Sequence, residues 1–263
     1  MNTLVQTLQR DQILEIILNR PEKRNALNWS MMMELDAAID EAEKAVGVRA
    51  VLIRGEGNGF SAGIDVNSLA ASSEQFGEHW RENLFPLTAA YQSVTNKIAQ
   101  CGLPTIALLH GYCLGLGFEV ALACDFRIAA AGTKIGLPEA RLGIIPDVGG
   151  TTRLTRLVGV ARAKEIVMTG KNIDLNDAER WGILNAVVPA EDLLVRGESL
   201  IAELAQAAPL AVSYAKRVID GLADLERGLQ LEGWAQSQLI RSQDFEVGVE
   251  AMLTKQEPQW TGK

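Results

Sequence analysis

Two glycine-rich turns are the first features of this sequence that could do chemistry. One centres on Gly63–Asp65 and the other on Gly115–Gly117, and each precedes a predicted helix. Backbone N–H groups at the start of a helix have no partner within that helix. Two such turns could therefore direct two N–H groups at a single oxygen and stabilise negative charge on it, which is the task of an oxyanion hole.

Three acidic residues lie in largely apolar stretches close to these turns. Glu119 stands one turn into the helix after the second glycine turn, Glu139 follows Pro138, and Asp147 follows Pro146. Carboxylates in apolar surroundings are either helix caps and ion-pair members or functional acids with shifted pKa values. The residues alone leave both interpretations open.

Other familiar chemistries fit the sequence poorly. Gly115–Val120 partly imitates a dinucleotide-binding turn, but the third glycine and the downstream acid are absent. Glycine-rich loops are not followed by Gly-Lys-Ser/Thr, which excludes a P-loop. Ser61 lacks a Gly-x-Ser-x-Gly context, and the two histidines, His79 and His110, are far apart. The sequence thus indicates neither a Ser-His-Asp hydrolase nor a metal site.

Composition narrows the class of protein. The 263 residues are 48% hydrophobic and 22% charged, as in a soluble globular protein. The net charge of −8 gives no electrostatic basis for binding nucleic acid or an anionic membrane. The apolar runs are far shorter than the roughly 20 residues that span a bilayer. The first residues resemble no secretory signal, and the three cysteines form no C-x-x-C pair, so we expect a cytoplasmic protein.

The elements that must position these groups alternate along the chain. The strand Ala50–Arg54 leads into the first glycine turn, and the strand Thr105–Leu109 leads into the second. A helix and then another strand, Asp125–Ala130, follow the second turn, and this alternation predicts an α/β fold. Further predictions are the strands Leu4–Leu8, Ile13–Leu18 and Trp181–Val188, the helices 28–46, 64–71 and Leu87–Gln100, and a loop over residues 72–86.

The C-terminal part of the sequence has a different pattern. Residues from about 190 onward carry helical spacing only, and Pro209 suits the first turn of a helix. We therefore expect a β-rich core over residues 1–195 and a helical region over residues 196–263.

At the turns and acids described above, the sequence resembles the enoyl-CoA hydratase/isomerase (crotonase) superfamily. The matching segments occur in the family's order and cover nearly the whole chain. They are Asn19–Leu27, Gly59–Asp65, His110–Glu119, Leu137–Glu139 and Leu142–Thr151. The resemblance implies a spiral of repeated ββα units and a C-terminal helical region that packs the chain into a homotrimer, often paired into a hexamer.

The resemblance also implies an acyl-CoA thioester as the substrate and no separate cofactor, because coenzyme A is part of the substrate. The thioester oxygen would accept hydrogen bonds from the N–H groups of Ile64 and Leu116. Glu119 and Glu139 match the family's two hydratase glutamates, so we expect Glu119 to activate water and Glu139 to protonate the α carbon. The implied CoA-binding residues are Lys23, Arg24, Ala26, Ala62, Gly63, Asp65 and Val66.

Two residues depart from the pattern of ordinary hydratases. Leu116 stands where the family usually has a small residue, so we expect its isobutyl group near the thioester and a less permissive turn. Asp147 matches an acid of the dienoyl-CoA isomerases. It could serve an isomerase together with Glu139, or it could cap the helix that starts near Val148–Gly149.

The leading hypothesis is an enoyl-CoA hydratase, with an enoyl- or dienoyl-CoA isomerase as the alternative. A CoA-thioester hydrolase is disfavoured by Glu119, and a non-catalytic acyl-CoA-binding protein is disfavoured by the retained acids. The acyl pocket is poorly encoded in the sequence. Its candidate residues, which could equally be core or subunit contacts, are Trp80, Arg81, Asn83, Phe85, Leu87, Trp234 and Phe245.

Overall fold

A six-stranded sheet lies at the centre of the fold in the computed structural model, which describes residues 3–69, 73, 76–79, 84–221, 236 and 238–263. The sheet order is β1-β2-β3-β4-β6-β9, and a second sheet has the order β5-β7-β8. The strands are β1 Val5–Arg10, β2 Ile13–Leu18, β3 Ala50–Gly55, β4 Thr105–Leu109, β5 Tyr112–Leu114, β6 Phe126–Ala130, β7 Lys134–Gly136, β8 Asn172–Ile173 and β9 Ala186–Val188.

Helices connect the strands and cover the sheet. They are α1 Trp29–Lys44, α2 Val66–Leu69, α3 Phe85–Gln100, α4 Leu116–Ala123, α5 Gly150–Thr169, α6 Leu175–Arg180, α7 Leu193–Ala205, α8 Pro209–Asp220 and α9 Gln243–Thr254. Short 3₁₀ turns occupy Pro21–Lys23, Pro138–Leu142 and Ala190–Asp192. Asn28 caps α1, since its side chain accepts a hydrogen bond from the Met31 N–H at 2.9 Å.

Successive turns of the chain stack as a spiral. Only β1 runs antiparallel to its neighbour in the large sheet, and the other pairs are parallel, as crossover connections through helices require. Beside this sheet, β5 pairs with β7 in parallel, and isolated parallel bridges join Ser61 to Cys113 and Leu27 to Ile64. Each turn therefore contributes one long strand, one short extended segment and one helix, which confirms the predicted repeat of ββα units.

Both faces of the large sheet are buried. In β3, Val51 and Ile53 belong to the hydrophobic cluster that contains α1 and α3, whereas Ala50 and Leu52 belong to a second cluster with α7. This alternation follows the period of two in a strand. The helix α7 packs on the sheet through Ile201 and spans the expected domain boundary near residue 195, and that boundary stays a prediction.

Three short strands differ from the sequence predictions. β5, which lies just before the second glycine turn, and the strands β7 and β8 were not predicted, because two or three residues are too few to show a period. The predicted strand Trp181–Val188 shrinks to Ala186–Val188, since Trp181 closes the helix α6. Among the helices that the structure describes, none has the length and apolar content to cross a bilayer.

Candidate active site

The first glycine turn is anchored by a buried serine. The Ser61 hydroxyl donates to the carbonyl of Asn25 at 2.8 Å and accepts from the N–H of Gly63 at 3.1 Å. Asn25 is itself fully buried, with positive φ (+50°), and its side-chain amide donates to the carbonyl of Gly59 at 2.9 Å. The opening loop and the first turn are therefore tied into one unit.

The N–H group of Ile64 faces away from this network. On either side of it, the Gly63 carbonyl accepts from the N–H of Leu27 and the N–H of Asp65 donates to the Leu27 carbonyl, both at 2.8 Å. The Ile64 N–H itself has no acceptor among the described residues. It is thus available to a ligand oxygen.

The second glycine turn follows β5 and begins the helix α4. Gly115 has φ +52° and ψ −129°, a conformation that favours glycine, and its N–H donates to the Gly136 carbonyl at 3.0 Å. The next N–H, that of Leu116, finds no acceptor within the described part of the chain, as expected at a helix start. This places a second available donor one residue after Gly115.

The structure bears on the expectation that Leu116 makes the turn less permissive, whereas the expected proximity of its isobutyl group to the thioester stays a prediction. The side chain is 3% exposed and packs in the main hydrophobic cluster. The positive φ of the turn falls on Gly115, and Leu116 adopts an ordinary negative φ. A leucine at this position therefore places no strain on the donor N–H.

The two turns lie in direct contact although about fifty residues separate them. A Cβ atom added to Gly63 would lie 2.9 Å from the Leu114 carbonyl oxygen and 3.6 Å from the Gly115 Cα. Only glycine permits this approach of one backbone to the other. The donors of Ile64 and Leu116 follow these two glycines directly, so the spiral brings both candidate oxyanion donors to one place.

Glu119 reaches from α4 to the turn that precedes α5. Its Oε1 accepts hydrogen bonds from the N–H groups of Val148 and Gly150, both at 2.8 Å, and the residue is 2% exposed. Burial raises the pKa of Glu119 to about 8 against the opposing effect of these hydrogen bonds, and the charges of Glu139 and Asp147 add to the rise.

Glu139 lies in the 3₁₀ turn after β7 and contacts the second glycine turn. A Cβ atom on Gly115 would stand 2.8 Å from the Glu139 Oε1, which places the carboxyl directly against that turn. The residue is 8% exposed, and its buried Oε2 has no hydrogen-bond partner within the described residues. Burial, supplemented by the charge of Asp147, raises the pKa of Glu139. A ligand would supply the missing partner.

Asp147 is partly exposed at the edge of the same group of acids. Its Oδ2 accepts a hydrogen bond from the Thr88 hydroxyl at 2.7 Å, and the Gln92 side-chain amide donates to its carbonyl at 2.6 Å. The alternative that Asp147 caps a helix is wrong, because Gly149 is the N-cap residue of α5 and no side chain bonds there. The carboxylate is held by α3 instead.

The residues expected to bind CoA border the first turn. Lys23 and Arg24 are exposed on the opening loop, and the N–H of Ala62 donates to the Arg24 carbonyl at 3.0 Å. Ala26 precedes the bridge between Leu27 and Ile64. The structure therefore brings the basic loop beside the candidate oxyanion donor.

Asp65 and Val66 occupy different surroundings after the first turn. The Asp65 Oδ2 accepts from the Arg20 guanidinium at 2.6 Å, and its Oδ1 accepts from the Asn67 N–H at 3.1 Å. Burial alone would raise the pKa of Asp65, but the hydrogen bond and charge of Arg20 outweigh it and lower the pKa. Val66 is exposed. The Asp65 carboxylate thus braces the turn.

Of the candidate acyl-pocket residues, Leu87 is buried in the core, whereas Phe85 is 85% exposed at the start of α3 and Phe245 is exposed on α9. Trp80, Arg81, Asn83 and Trp234 lie outside the described residues. The exposed phenyl ring of Phe85 is one turn from Thr88, which bonds Asp147.

Sequence reasoning missed the residues that hold the site together. Three such residues form hydrogen bonds with partners that are between 36 and 59 positions away in the sequence. They are Asn25, Arg20 and Thr88. A periodic pattern carries no such information. Asn25 alone left a signal, because asparagine is the side chain most often tolerated at positive φ outside glycine.

The assembled site combines two N–H donors, two buried carboxyls and a third carboxylate at its edge. Such donors stabilise charge that develops on a carbonyl oxygen, and such carboxyls exchange protons with neighbouring carbon or water. Within the described residues, His, Cys, Asp and Glu form no group of three that could hold a metal ion. The arrangement suits reactions through an enolate.

Comparisons with known proteins agree with this geometry. The family model described as Enoyl-CoA hydratase/isomerase matches residues 9–263. A Mycobacterium bovis protein named "Probable enoyl-CoA hydratase echA8" is 35% identical over 257 residues, which cover 97% of this chain and 96% of that protein. The mitochondrial Delta(3,5)-Delta(2,4)-dienoyl-CoA isomerase of Dictyostelium discoideum is 32% identical over 94% of this chain and 86% of its own length.

Solved structures have the same fold. The crystal structure of an enoyl-CoA hydratase from Bacillus anthracis superposes with a TM-score of 0.91 at 33% identity, covering 99% of this chain and 100% of that one. An enoyl-CoA hydratase structure from Geobacillus kaustophilus also gives 0.91 at 33% identity, over 100% and 98% of the two chains. With its spiral of ββα units and its paired glycine turns, the chain belongs to the enoyl-CoA hydratase/isomerase (crotonase) superfamily.

Proposed function

We propose that this protein is an enoyl-CoA hydratase, which adds water across the α,β double bond of an enoyl-CoA thioester. The observation that carries the proposal is the contact between Glu139 and the turn that presents the Leu116 N–H. It puts a buried carboxyl beside the place where a bound thioester would develop negative charge. Fatty-acid β-oxidation is the metabolic role we propose for it.

The oxyanion hole consists of the N–H groups of Ile64 and Leu116 in this proposal. As water attacks the β carbon, the electron pair of the double bond moves toward the thioester oxygen, and the two donors stabilise that charge. Loss of one such donor typically slows an enzyme by about a hundred- to a thousand-fold. The donors belong to the main chain of two turns in contact, so their spacing is fixed by the fold.

The two glutamates divide the proton transfers. Glu119 takes a proton from water while the oxygen bonds to the β carbon, and Glu139 gives its proton to the α carbon as the enolate collapses. The product is a 3-hydroxyacyl-CoA. Glu119 is left protonated and Glu139 ionised, so a proton must return from Glu119 to Glu139, directly or through solvent, before the next turnover. Burial raises the pKa of both carboxyls, which favours a protonated Glu139, and it raises that of Glu119 to about 8, so Glu119 must lose its proton before it can act as the base.

Coenzyme A would bind along the opening loop and the first turn. The exposed cations Lys23 and Arg24 are placed to attract phosphates, and the adjoining N–H groups of a helix start favour anions as well. Backbone atoms of Ala26 and Ala62 would contact the adenine. Gly63, Asp65 and Val66 complete the proposed CoA-contacting segment. No separate cofactor enters this chemistry.

Assembly into a homotrimer, or a hexamer of two trimers, is also part of the proposal. Support comes from large apolar side chains left exposed on helices of the single chain, including Val160, Met168 and Ile219. The three cysteines are buried and unpaired, as expected of a protein that works in a reducing cytoplasm. Native mass spectrometry would give the number of chains directly.

The decisive experiment is incubation with crotonyl-CoA in heavy-oxygen water, followed by mass spectrometry of the CoA products. A labelled 3-hydroxybutyryl-CoA is the expected result. Free CoA with labelled acid would instead identify a thioester hydrolase.

Glu139→Gln should bind acyl-CoA normally and lose about a hundred- to ten-thousand-fold in turnover. Unchanged turnover in this variant would overturn the role given to Glu139.

A second candidate activity is the migration of a double bond, which Asp147 favours. The Thr88 hydroxyl holds this carboxylate beside the two glutamates, and a dienoyl-CoA isomerase is among the similar proteins. The variant Asp147→Asn distinguishes the two activities when it is assayed with a 3,5-dienoyl-CoA and with crotonyl-CoA. If Asp147 carries a proton for isomerisation, this variant loses conversion of the dienoyl-CoA while its hydration of crotonyl-CoA is unchanged. Parallel loss of both activities would contradict that role.

A further inference from the structure

The turn between Pro146 and Gly150 supplies both hydrogen bonds to Glu119, and the same turn is held from its opposite side. The N–H groups that bond Glu119 belong to the peptide groups 147–148 and 149–150. The carbonyl of the first accepts from Gln92 at 2.6 Å, and the carbonyl of the second accepts from the Arg153 N–H at 2.8 Å. The position of each donor N–H group is therefore fixed by a hydrogen bond to the carbonyl of the same peptide group.

The peptide group between them is held by the side chain of Arg153. Its Nη1 donates to the Val148 carbonyl at 3.1 Å and lies 3.3 Å from the Thr95 hydroxyl, while its Nη2 donates to the Asn96 side chain at 2.7 Å. The Thr95 hydroxyl also donates to the Val148 carbonyl at 3.1 Å. One guanidinium thus joins the turn to the helix α3.

Gly149 shows how closely the guanidinium fits against the turn. Its φ is +108°, and a Cβ atom there would lie 1.9 Å from the Arg153 Nη1. A side chain at this position would displace the cation and also strain the backbone. Glycine is therefore needed at position 149 for two reasons, the positive φ of the turn and the close approach of the Arg153 guanidinium.

We propose that Arg153 is a positioning residue for Glu119, which acts by fixing the turn that carries the N–H groups of Val148 and Gly150. The proposal rests on the catalytic role proposed for Glu119. Arg153 touches neither the carboxyl nor the place proposed for the substrate. Its hydrogen bonds reach the general base through the backbone that both groups share.

The charge of Arg153 gives the proposal a second, measurable consequence. The charges of Glu139 in the 3₁₀ turn and of Asp147 in the turn itself raise the pKa of Glu119. Arg153 on α5 is a cation among the described residues that attracts the Glu119 carboxylate. Removing it disfavours the ionised form of Glu119 and raises the pKa of that carboxyl.

The test compares Arg153→Gln and Arg153→Lys with Arg156→Gln. Arg156 is exposed on the same helix and serves as the matched loss of one charge. The pH dependence of kcat/KM for crotonyl-CoA is measured, and Glu119 is titrated directly by ¹³C NMR of glutamate carboxyls, assigned from the signal missing in Glu119→Gln. Arg153→Gln should shift both titrations upward by about one pH unit and reduce kcat about tenfold or more.

The lysine variant separates charge from geometry. Arg153→Lys keeps the positive charge but cannot donate to the Val148 carbonyl and the Asn96 side chain at once through a guanidinium. The Glu119 titration should therefore return toward that of the unaltered enzyme, while kcat recovers only in part. Arg156→Gln should change neither quantity. An unshifted Glu119 titration in folded Arg153→Gln, or an equal shift in Arg156→Gln, would overturn the positioning role.

The NMR titration also keeps this inference distinct from the proposed function. If the unaltered enzyme hydrates no enoyl-CoA while Arg153→Gln still shifts the Glu119 titration, the assigned reaction is wrong and the coupling of the two residues stands. If hydration is present and the titration does not move, the reaction stands and the coupling is wrong.

Discussion

Replacing Glu119 with glutamine should stabilise the fold in a pH-dependent manner. Glutamine retains the oxygen that accepts the N–H groups of Val148 and Gly150 but cannot ionise. Because the pKa of Glu119 rises from its ordinary value of 4.5 to about 8 on folding, the folded state holds this proton more tightly than the unfolded chain does. The stabilisation that protonated Glu119 gives the fold is fully present at pH values below the pKa of the unfolded chain. It is lost as the pH rises through the pKa of the folded state.

The size of the effect follows from linkage between protonation and folding. Between pH 6, safely above the isoelectric point near 5.0, and pH 9.5, the unaltered protein should lose about 3 kcal/mol of unfolding free energy relative to Glu119→Gln. Proteins have only about 5–15 kcal/mol in total, so the difference is easily measured. The residue proposed as the catalytic base therefore lowers the stability of the fold under alkaline conditions.

Urea unfolding followed by circular dichroism, at both pH values, measures this difference. Glu191→Gln, on an exposed 3₁₀ turn, is the control for loss of one carboxylate. Unfolding free energies of Glu119→Gln and the unaltered protein that change in parallel with pH would contradict a raised pKa for Glu119. The same pH-dependent difference in Glu191→Gln would contradict it as well.

The pH profile of activity and two sets of variants test the rest of the site. If Glu119 is the base, kcat/KM should rise through its pKa of about 8, and a fall over that range would reverse the roles of the two glutamates. Gly115→Ala puts a methyl group 2.8 Å from the Glu139 Oε1, so hydration should slow about a hundred-fold. Gly132→Ala, at a positive φ of +84° with nothing within 4 Å, is its control for backbone strain, and equal activity loss in both would remove the argument from contact. Joint replacement of Lys23 and Arg24 by alanine should raise KM for acyl-CoA and weaken its salt dependence at constant kcat. A kcat loss without a KM change would contradict their role in binding CoA.

The sequence alone was sufficient for the long elements of the fold. β2 and β4 are short segments rich in isoleucine and leucine, and α3 has helical spacing that ends before Gly102, so their positions follow from composition and period. β5, β7 and β8 could not be found in this way. Such short segments are extended because a neighbouring turn of the spiral pairs with them.

For the candidate site as well, some residues could be predicted from the sequence and others could not. Glycine turns and acids stand out in the chain, which is why Glu119, Glu139 and Asp147 could be selected. Their partners could not be selected, because the Asp147 carboxylate meets Thr88 59 positions away. Leu116 causes no backbone strain at the turn, since the positive φ falls on the glycine before it.

One half of this site is made of main-chain atoms and the other of side chains, and the two halves respond differently to mutation. A substitution at Ile64 or Leu116 leaves the N–H group in place, whereas a single codon change at Glu119, Glu139 or Asp147 deletes or moves an acid. Selection can therefore exchange the proton carriers without dismantling the group that holds the thioester. Such a site would make new reactions available by inheritance, each beginning from an enolate that the ancestral backbone already stabilised.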